Sequence, residues 1–242
     1  MGPNYKNWMD YELRWLAGYR KKLMRTTTHV TIPLVIVFLT LFMGGLSFVD
    51  RMNPEDALYG GVGGFLLGAV VCAFFYLCLR FGLREGKYRR LIQKAIDGLE
   101  LSPGEEEQLG AEMLAARDDP KRRFFFEINS LNSKGTPARF VLTPNYAYLA
   151  GAYPYAILVR LKDIAEIRPG EEKKLETRRN SSSRTLRAFT LYTIGFYRND
   201  RADRNLGPQD LPDEAMGFFS QRLRDQALSM LREQIGASVS LQ

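Results

Sequence analysis

Cysteine and histidine are scarce in this chain, and charge is missing from two long stretches. Cys72 and Cys78 are its two cysteines, both inside the second uncharged stretch, and His29 is its single histidine. The remainder of the chain therefore offers no thiol for a disulfide framework or a cysteine-based metal site, as expected in a reducing compartment. Cys72 and Cys78 are six residues apart, a spacing that suits neither a metal pair nor a disulfide within one helix. One histidine at the edge of an apolar run excludes a Ser-His-Asp set elsewhere and gives a metal no second imidazole. Gly60-Gly61-Val62-Gly63-Gly64 lacks the Lys-Ser/Thr ending of a phosphate loop. Glu171-Glu172 lie among basic neighbours, with no apolar pocket to tune a carboxyl group for acid catalysis. No catalytic residue, metal site or cofactor is expected, and the chain is not read as an enzyme.

Two apolar runs dominate what is present. Val30–Val49 and Ala57–Leu79 contain no charge, and each matches the roughly 20 residues needed to cross a hydrocarbon core of about 30 Å. Buried core helices are a poor alternative, because soluble helices keep a polar stripe. A cleaved signal peptide has an apolar part of only about 7–15 residues, and the first run here is longer and preceded by Trp8 and Trp15. Arg20, Lys21, Lys22 and Arg25 precede the first run, and Arg80, Arg84, Lys87, Arg89 and Arg90 follow the second. The break Asp50–Asp56 carries Arg51 against Asp50, Glu55 and Asp56. By the positive-inside bias this predicts a two-pass antiparallel hairpin in the inner membrane, with both termini cytoplasmic. Pro33 is placed in the first turns, where proline costs least. Cys78, near the inner face, is a candidate for palmitoylation. Gly60, Gly64 and Gly68 make a smooth helix-packing face. Its partner is either the first span, through Gly44 and Gly45, or a second copy. Neither span carries an ionisable residue to line a pore, which disfavours a transport role.

Four segments follow from the pattern: 1–28, 29–83 with spans 30–49 and 57–79, 84–120, and 121–242. In the first, Trp8, Tyr11, Trp15 and Tyr19 recur at helical spacing. They predict an interfacial anchor on the inner leaflet, the alternative being a stripe packed on the protein's own folded domain. In the third, Tyr88 to Leu99 keep a one-sided apolar face, and Ser102, Pro103 and Glu105 form a capping box that restarts a helix. This segment is expected to act as a helical linker, with Glu105–Glu107 as a solvated first turn. In the fourth the period changes to two. Strands are expected near 123–129, 138–143, 146–151, 156–161, 164–168, 185–192 and 194–198, with a turn at Asn132–Gly135. A polar loop is expected over Pro169–Arg184, and a closing helix over Leu211–Ile235.

Seven short strands followed by an amphipathic helix resemble the pleckstrin-homology-like (PH-like) fold. Two stretches carry the resemblance. Arg139-Phe140-Val141-Leu142-Thr143-Pro144-Asn145 is similar to the strand and turn of bacterial PH-like domains. Leu161-Lys162-Asp163-Ile164-Ala165-Glu166-Ile167 is similar to their Pro-Leu-x-Asp-Ile-x-x-Ile strand, with Arg160 in place of the proline. The match spans residues 122–238, and the whole chain resembles bacterial membrane proteins that tether such a domain by two helices. The expected fold class is thus an α+β membrane protein, a transmembrane hairpin plus a PH-like β-barrel or sandwich. The resemblance implies a headgroup-binding role for the basic set Lys173, Lys174, Arg178, Arg179, Arg184 and Arg187. The net charge of +7 lies largely beside the spans, where topology and anionic lipid account for it, so nucleic acid is not expected as a partner. The expected function is a non-enzymatic, membrane-anchored domain that binds a protein partner or the membrane surface. The alternative is a scaffold or subunit assembled through the second span.

Overall fold

The computed structural model describes residues 2–128, 135–151, 155–179, 184–199 and 210–239. It is an α+β chain that divides into two compact units. One is helical, Leu13–Tyr88; the other joins the N-terminal residues through Glu12 to everything from Arg89 onward. The boundary falls inside helix α1, Pro3–Thr26.

The helical unit continues from α1 through a π-helical turn, Thr27–Thr31, into α2, Ile32–Arg51. The helical run is unbroken from Pro3 to Asp50. Pro33 is the second residue of α2, as expected, but the helical run continues ahead of it. Its ring has no N–H to give the preceding turn and crowds the carbonyl four residues back. The wider π turn just ahead of it accommodates that defect. Met52, in the left-handed region at φ 52°, stops α2. Asn53 caps α3, Pro54–Gly82, by accepting from the Glu55 N–H, and Glu55 and Asp56 occupy its first turn, where negative charge suits the helix dipole. Both apolar helices are long enough to cross a membrane. None of the most apolar window of the first is buried, and 17% of that of the second.

In the other unit, α4 (Glu85–Asp97, from Arg89 on) and α5 (Pro103–Arg117) precede seven strands. The capping box at α5 is formed: Ser102 Oγ accepts from the Glu105 N–H and the Glu105 carboxylate accepts from the Ser102 N–H. The strands are β1 Arg123–Ile128, β2 Thr136–Leu142, β3 Tyr146–Gly151, β4 Tyr155–Arg160, β5 Ile164–Arg179, β6 Arg184–Arg198 and β7 Glu214–Phe218. They form two antiparallel sheets, β1-β2-β3-β4 and β5-β6-β7, which do not close into a barrel. The final helix is α6, Gln221–Val239.

Several boundaries differ from the sequence expectation. The stretch 169–184, expected as a loop, extends β5 to Arg179 and pairs with β6 through Arg179↔Arg184. Pro169 is tolerated because β5 is an edge strand, which keeps one side free of ladder bonds. The two strands expected at 185–198 are one, since Thr193 pairs with both Gly170 and Gly217. The closing helix starts ten residues later than expected, because 214–218 is strand β7. There Met216 and Phe218 are buried at a spacing of two. The expected turn at 132–135 lies mostly outside the described residues.

Phe140, Leu142, Ala147 and Leu149 of the first sheet face Ile194, Phe196, Met216 and Phe218 of the second, and Ala227, Leu228 and Leu231 of α6 complete this core. β3 is buried along its whole length, so its second face is covered too. Helices cover it: Trp8 stacks edge-on against Tyr148 at 5.8 Å, and Leu109 and Met113 of α5 are buried. The 84–120 segment is thus a packed layer of this unit from Arg89 on, not a spacer.

Candidate functional site

The first site is a buried polar cluster where α1 lies on the outer face of the first sheet. Strand alternation puts Phe140 and Leu142 in the core, so Arg139 and Val141 point the other way. Arg139 and Glu12 are each 2% exposed and form an ion pair. The same carboxylate accepts from the Tyr148 hydroxyl at 3.0 Å and from Trp8 Nε1–H at 3.2 Å. The Arg139 guanidinium lies 5.6 Å from the Tyr11 ring. Burial pulls the Arg139 pKa below its ordinary value, against the opposing influence of Tyr148 and Tyr11. Charges removed from water are tolerated when paired, as Glu12 and Arg139 are. The chemistry is that of a fastening, with no group presented to a substrate. Farther along, Glu107 of α5 accepts from the Asn4 N–H at 3.0 Å and the Tyr5 N–H at 3.3 Å. A carboxylate thereby satisfies the free amides at the start of α1. At Gly110 an added Cβ would stand 2.3 Å from the Tyr5 nitrogen, so only glycine allows this approach.

These contacts place two of the expected features differently. Trp8, read as an interfacial anchor, is 1% exposed and belongs to the interior of the α+β unit. Tyr11 is half-buried beneath Arg117 and Arg139, while Trp15 and Tyr19, in the helical unit, are half-buried. Glu105–Glu107 is not simply a solvated turn. Glu105 accepts from Lys162 Nζ at 2.8 Å and from Arg160 at 3.0 Å. The Lys162 hydrogen bond, with those of Ser102 next, holds its carboxyl pKa down at about 2.

The basic set falls on the β5–β6 ribbon. Lys173 and Lys174 are exposed, and Lys174 pairs with Glu172 at 2.8 Å. Arg178 and Arg179 lie on β5 and Arg184 and Arg187 on β6; the register sets Arg184 across from Arg179 and Arg187 across from Glu176. Their side chains lie outside the described residues. β7 pairs with β6 only at 192–196, so residues 171–179 and 184–191 form a two-stranded extension.

In the helical unit, Gly60, Gly64 and Gly68 lie against α2. A Cβ at Gly64 would come within 2.3 Å of the Leu39 carbonyl oxygen, and one at Gly60 within 2.7 Å of the Met43 carbonyl. One at Gly68 would meet the Ile36 Cα at 3.3 Å, whereas Gly45 and Gly63 face open space. The glycines thus serve the hairpin itself.

A groove missed by sequence reasoning runs between α4 and the edges of the two sheets. Its volume is about 500 Å³, with Leu91, Ala95 and Ile157 as apolar walls and Lys94 and Glu214 among its charged residues. Tyr155, also lining it, donates from its hydroxyl to the Gly217 carbonyl at 3.0 Å, tying β4 to β7. Burial pushes the Tyr155 phenol pKa up. The volume is within the range of small-ligand sites. Among the described residues no cluster of three or more His, Cys, Asp or Glu side chains is arranged to hold a metal. The chain matches no protein-family model, no curated protein and no solved structure.

Proposed function

We propose that this chain is a two-pass inner-membrane protein, with both termini cytoplasmic, whose helical hairpin anchors a non-enzymatic α+β domain for binding a protein partner or the membrane surface. One observation carries the reading. Large apolar side chains of α2 and α3 stand exposed along both helices, with Leu41 and Phe74 at 70%. Water would penalise that surface by about 25 cal/mol per Å², whereas lipid does not. The PH-like assignment belongs to this reading. Its support is a four-strand and a three-strand antiparallel sheet packed face to face, with a C-terminal helix against them.

Membrane fractionation tests the anchor. The full chain is expected to stay in the pellet after alkaline carbonate washing and to enter solution only with detergent. Protease added to intact cells is expected to spare the α+β domain and to destroy it in inverted vesicles. Recovery in the carbonate supernatant would overturn the anchor, and digestion in intact cells would overturn the orientation.

A scaffold function through self-association is the second reading. The surface that favours it is the open one around Gly45 and Gly61, where Thr40, Leu41, Leu58 and Phe65 line a shallow apolar groove of about 480 Å³.

A further inference from the structure

The helical unit has two ends of opposite charge. At its turn, Asp50, Glu55 and Asp56 accompany Arg51. At its open end Arg20, Lys21, Lys22 and Arg25 come from α1, Arg80 from α3 and Arg84 and Lys87 from beyond it, against the single acid Glu85. Lys21, Lys22, Arg25, Arg80, Arg84 and Lys87 are all exposed.

Helix packing brings the two basic segments to one level. The antiparallel register sets Cys72 beside Ile32, Gly68 beside Ile36, Gly64 beside Leu39 and Met43, and Gly60 beside Met43 and Ser47. Each turn forward on α3 is one turn back along the first helix. Carried two turns past Cys72, the same register sets Arg80 level with Arg25; α3 ends two residues later at Gly82, and Arg84 and Lys87 follow directly in sequence. At 1.5 Å per residue, Arg25 stands about 37 Å from Asp50 along the axis, and Arg80 about 36 Å from Asp56. Both distances exceed the hydrocarbon thickness of about 30 Å, so the cations reach headgroup depth when the apolar stretch is centred.

We infer that Lys21, Lys22 and Arg25 together with Arg80, Arg84 and Lys87 form a collar that binds anionic phospholipid headgroups of the adjoining leaflet in preference to zwitterionic ones. The recognition is between ammonium or guanidinium groups and a lipid carrying net negative charge; a zwitterionic lipid presents its own cation beside the phosphate. This rests on the hairpin spanning a bilayer.

The full chain would be assembled into nanodiscs of equal phosphatidylcholine and phosphatidylglycerol, then released gently for native mass spectrometry of the retained lipid. Incorporation itself reports on the membrane reading. A basic residue near the surface is worth about fivefold in lipid selection, so phosphatidylglycerol is expected to exceed phosphatidylcholine by at least about tenfold among retained lipids. With Lys21→Gln, Lys22→Gln, Arg25→Gln, Arg80→Gln, Arg84→Gln and Lys87→Gln combined, the ratio is expected to fall to within about twofold of parity. Each half of that set alone is expected to give an intermediate ratio. Arg222→Gln with Arg232→Gln, removing two exposed cations of α6, should leave the wild-type ratio. Incorporation with equal retention of the two lipids overturns the collar and leaves the anchor standing. Full selectivity in either half-variant overturns the claim that both segments share it. Failure to incorporate overturns anchor and collar together.

Discussion

Phe74 and Phe140 are the same side chain in opposite surroundings. Phe74, in the helical hairpin, is 70% exposed, and Phe140, in the α+β unit, is 0% exposed. The hairpin sets Gly60, Gly64 and Gly68 at its helix contact and leaves large side chains such as Leu41 and Phe74 exposed; the α+β unit buries its large ones. Each arrangement is stable in one solvent. In water the hydrophobic effect rewards burying the large apolar groups. In lipid that reward vanishes, and close helix packing through small residues takes its place.

The contrast is broken most severely from inside the α+β unit. Phe140→Ala is expected to cost about 3–5 kcal/mol there, by lost transfer energy and a cavity, whereas Phe74→Ala should leave denaturant unfolding of that unit in detergent within about 0.5 kcal/mol of wild type. Equal losses would mean that Phe74 is not facing lipid. The Glu12–Arg139 pair tests the same interior with charge. Arg139→Met alone should also cost about 3–5 kcal/mol, because it strands a buried carboxylate. Combining it with Glu12→Leu should recover a large part of that loss. Additive losses in the double variant would show that the pair is not coupled.

In the hairpin the decisive positions are small. Gly64→Leu must displace the Leu39 carbonyl or Met43, an overpacking expected to cost about 1–3 kcal/mol. Gly63→Leu meets nothing within 4 Å and should be neutral within the hairpin. Cysteine crosslinking between α2 and α3 would report splaying in the first and none in the second. If Gly45→Leu, at a glycine that faces open space on the Thr40–Phe65 groove, abolished a crosslinked dimer, the self-association reading would gain its surface.

The parts legible from sequence were those governed by nearest neighbours. The Ser102 and Glu105 capping box and the two apolar runs declare themselves within a few residues. Tertiary context decided the rest. Glu12 and Arg139 are 127 residues apart, and each alone looks like a surface charge. A signal was present: Glu12 follows Trp8 by one helical turn within the aromatic stripe, and Arg139 sits between apolar residues of a strand buried on both faces. Pro169 and the polar run after it hid strand β5, because only its edge position makes that composition permissible. Met216 lies within the stretch expected as the closing helix, and the core instead buries it with Phe218 on strand β7.

The smallest expected effect is electrostatic and lies on the α5 side of the α+β unit. Glu105 has its carboxyl pKa lowered from an ordinary 4.5 to about 2, chiefly by the Lys162 hydrogen bond and then by Ser102. A depressed carboxyl pKa means that the folded state binds the proton more weakly than the unfolded chain does. Its contribution to stability is therefore complete above about pH 4.5 and is lost as pH falls toward 2. Isotope-labelled glutamate followed by NMR should show Glu105 titrating near 2. Lys162→Met should raise that midpoint, and Ser102→Ala should raise it less, in the order of the two causes. Because the site is solvent-accessible, high salt should weaken the Lys162 share while leaving the capping hydrogen bonds in place. A midpoint unmoved by Lys162→Met would mean that the loop after β4 does not hold its lysine against α5, and that the cap alone sets the acidity of Glu105.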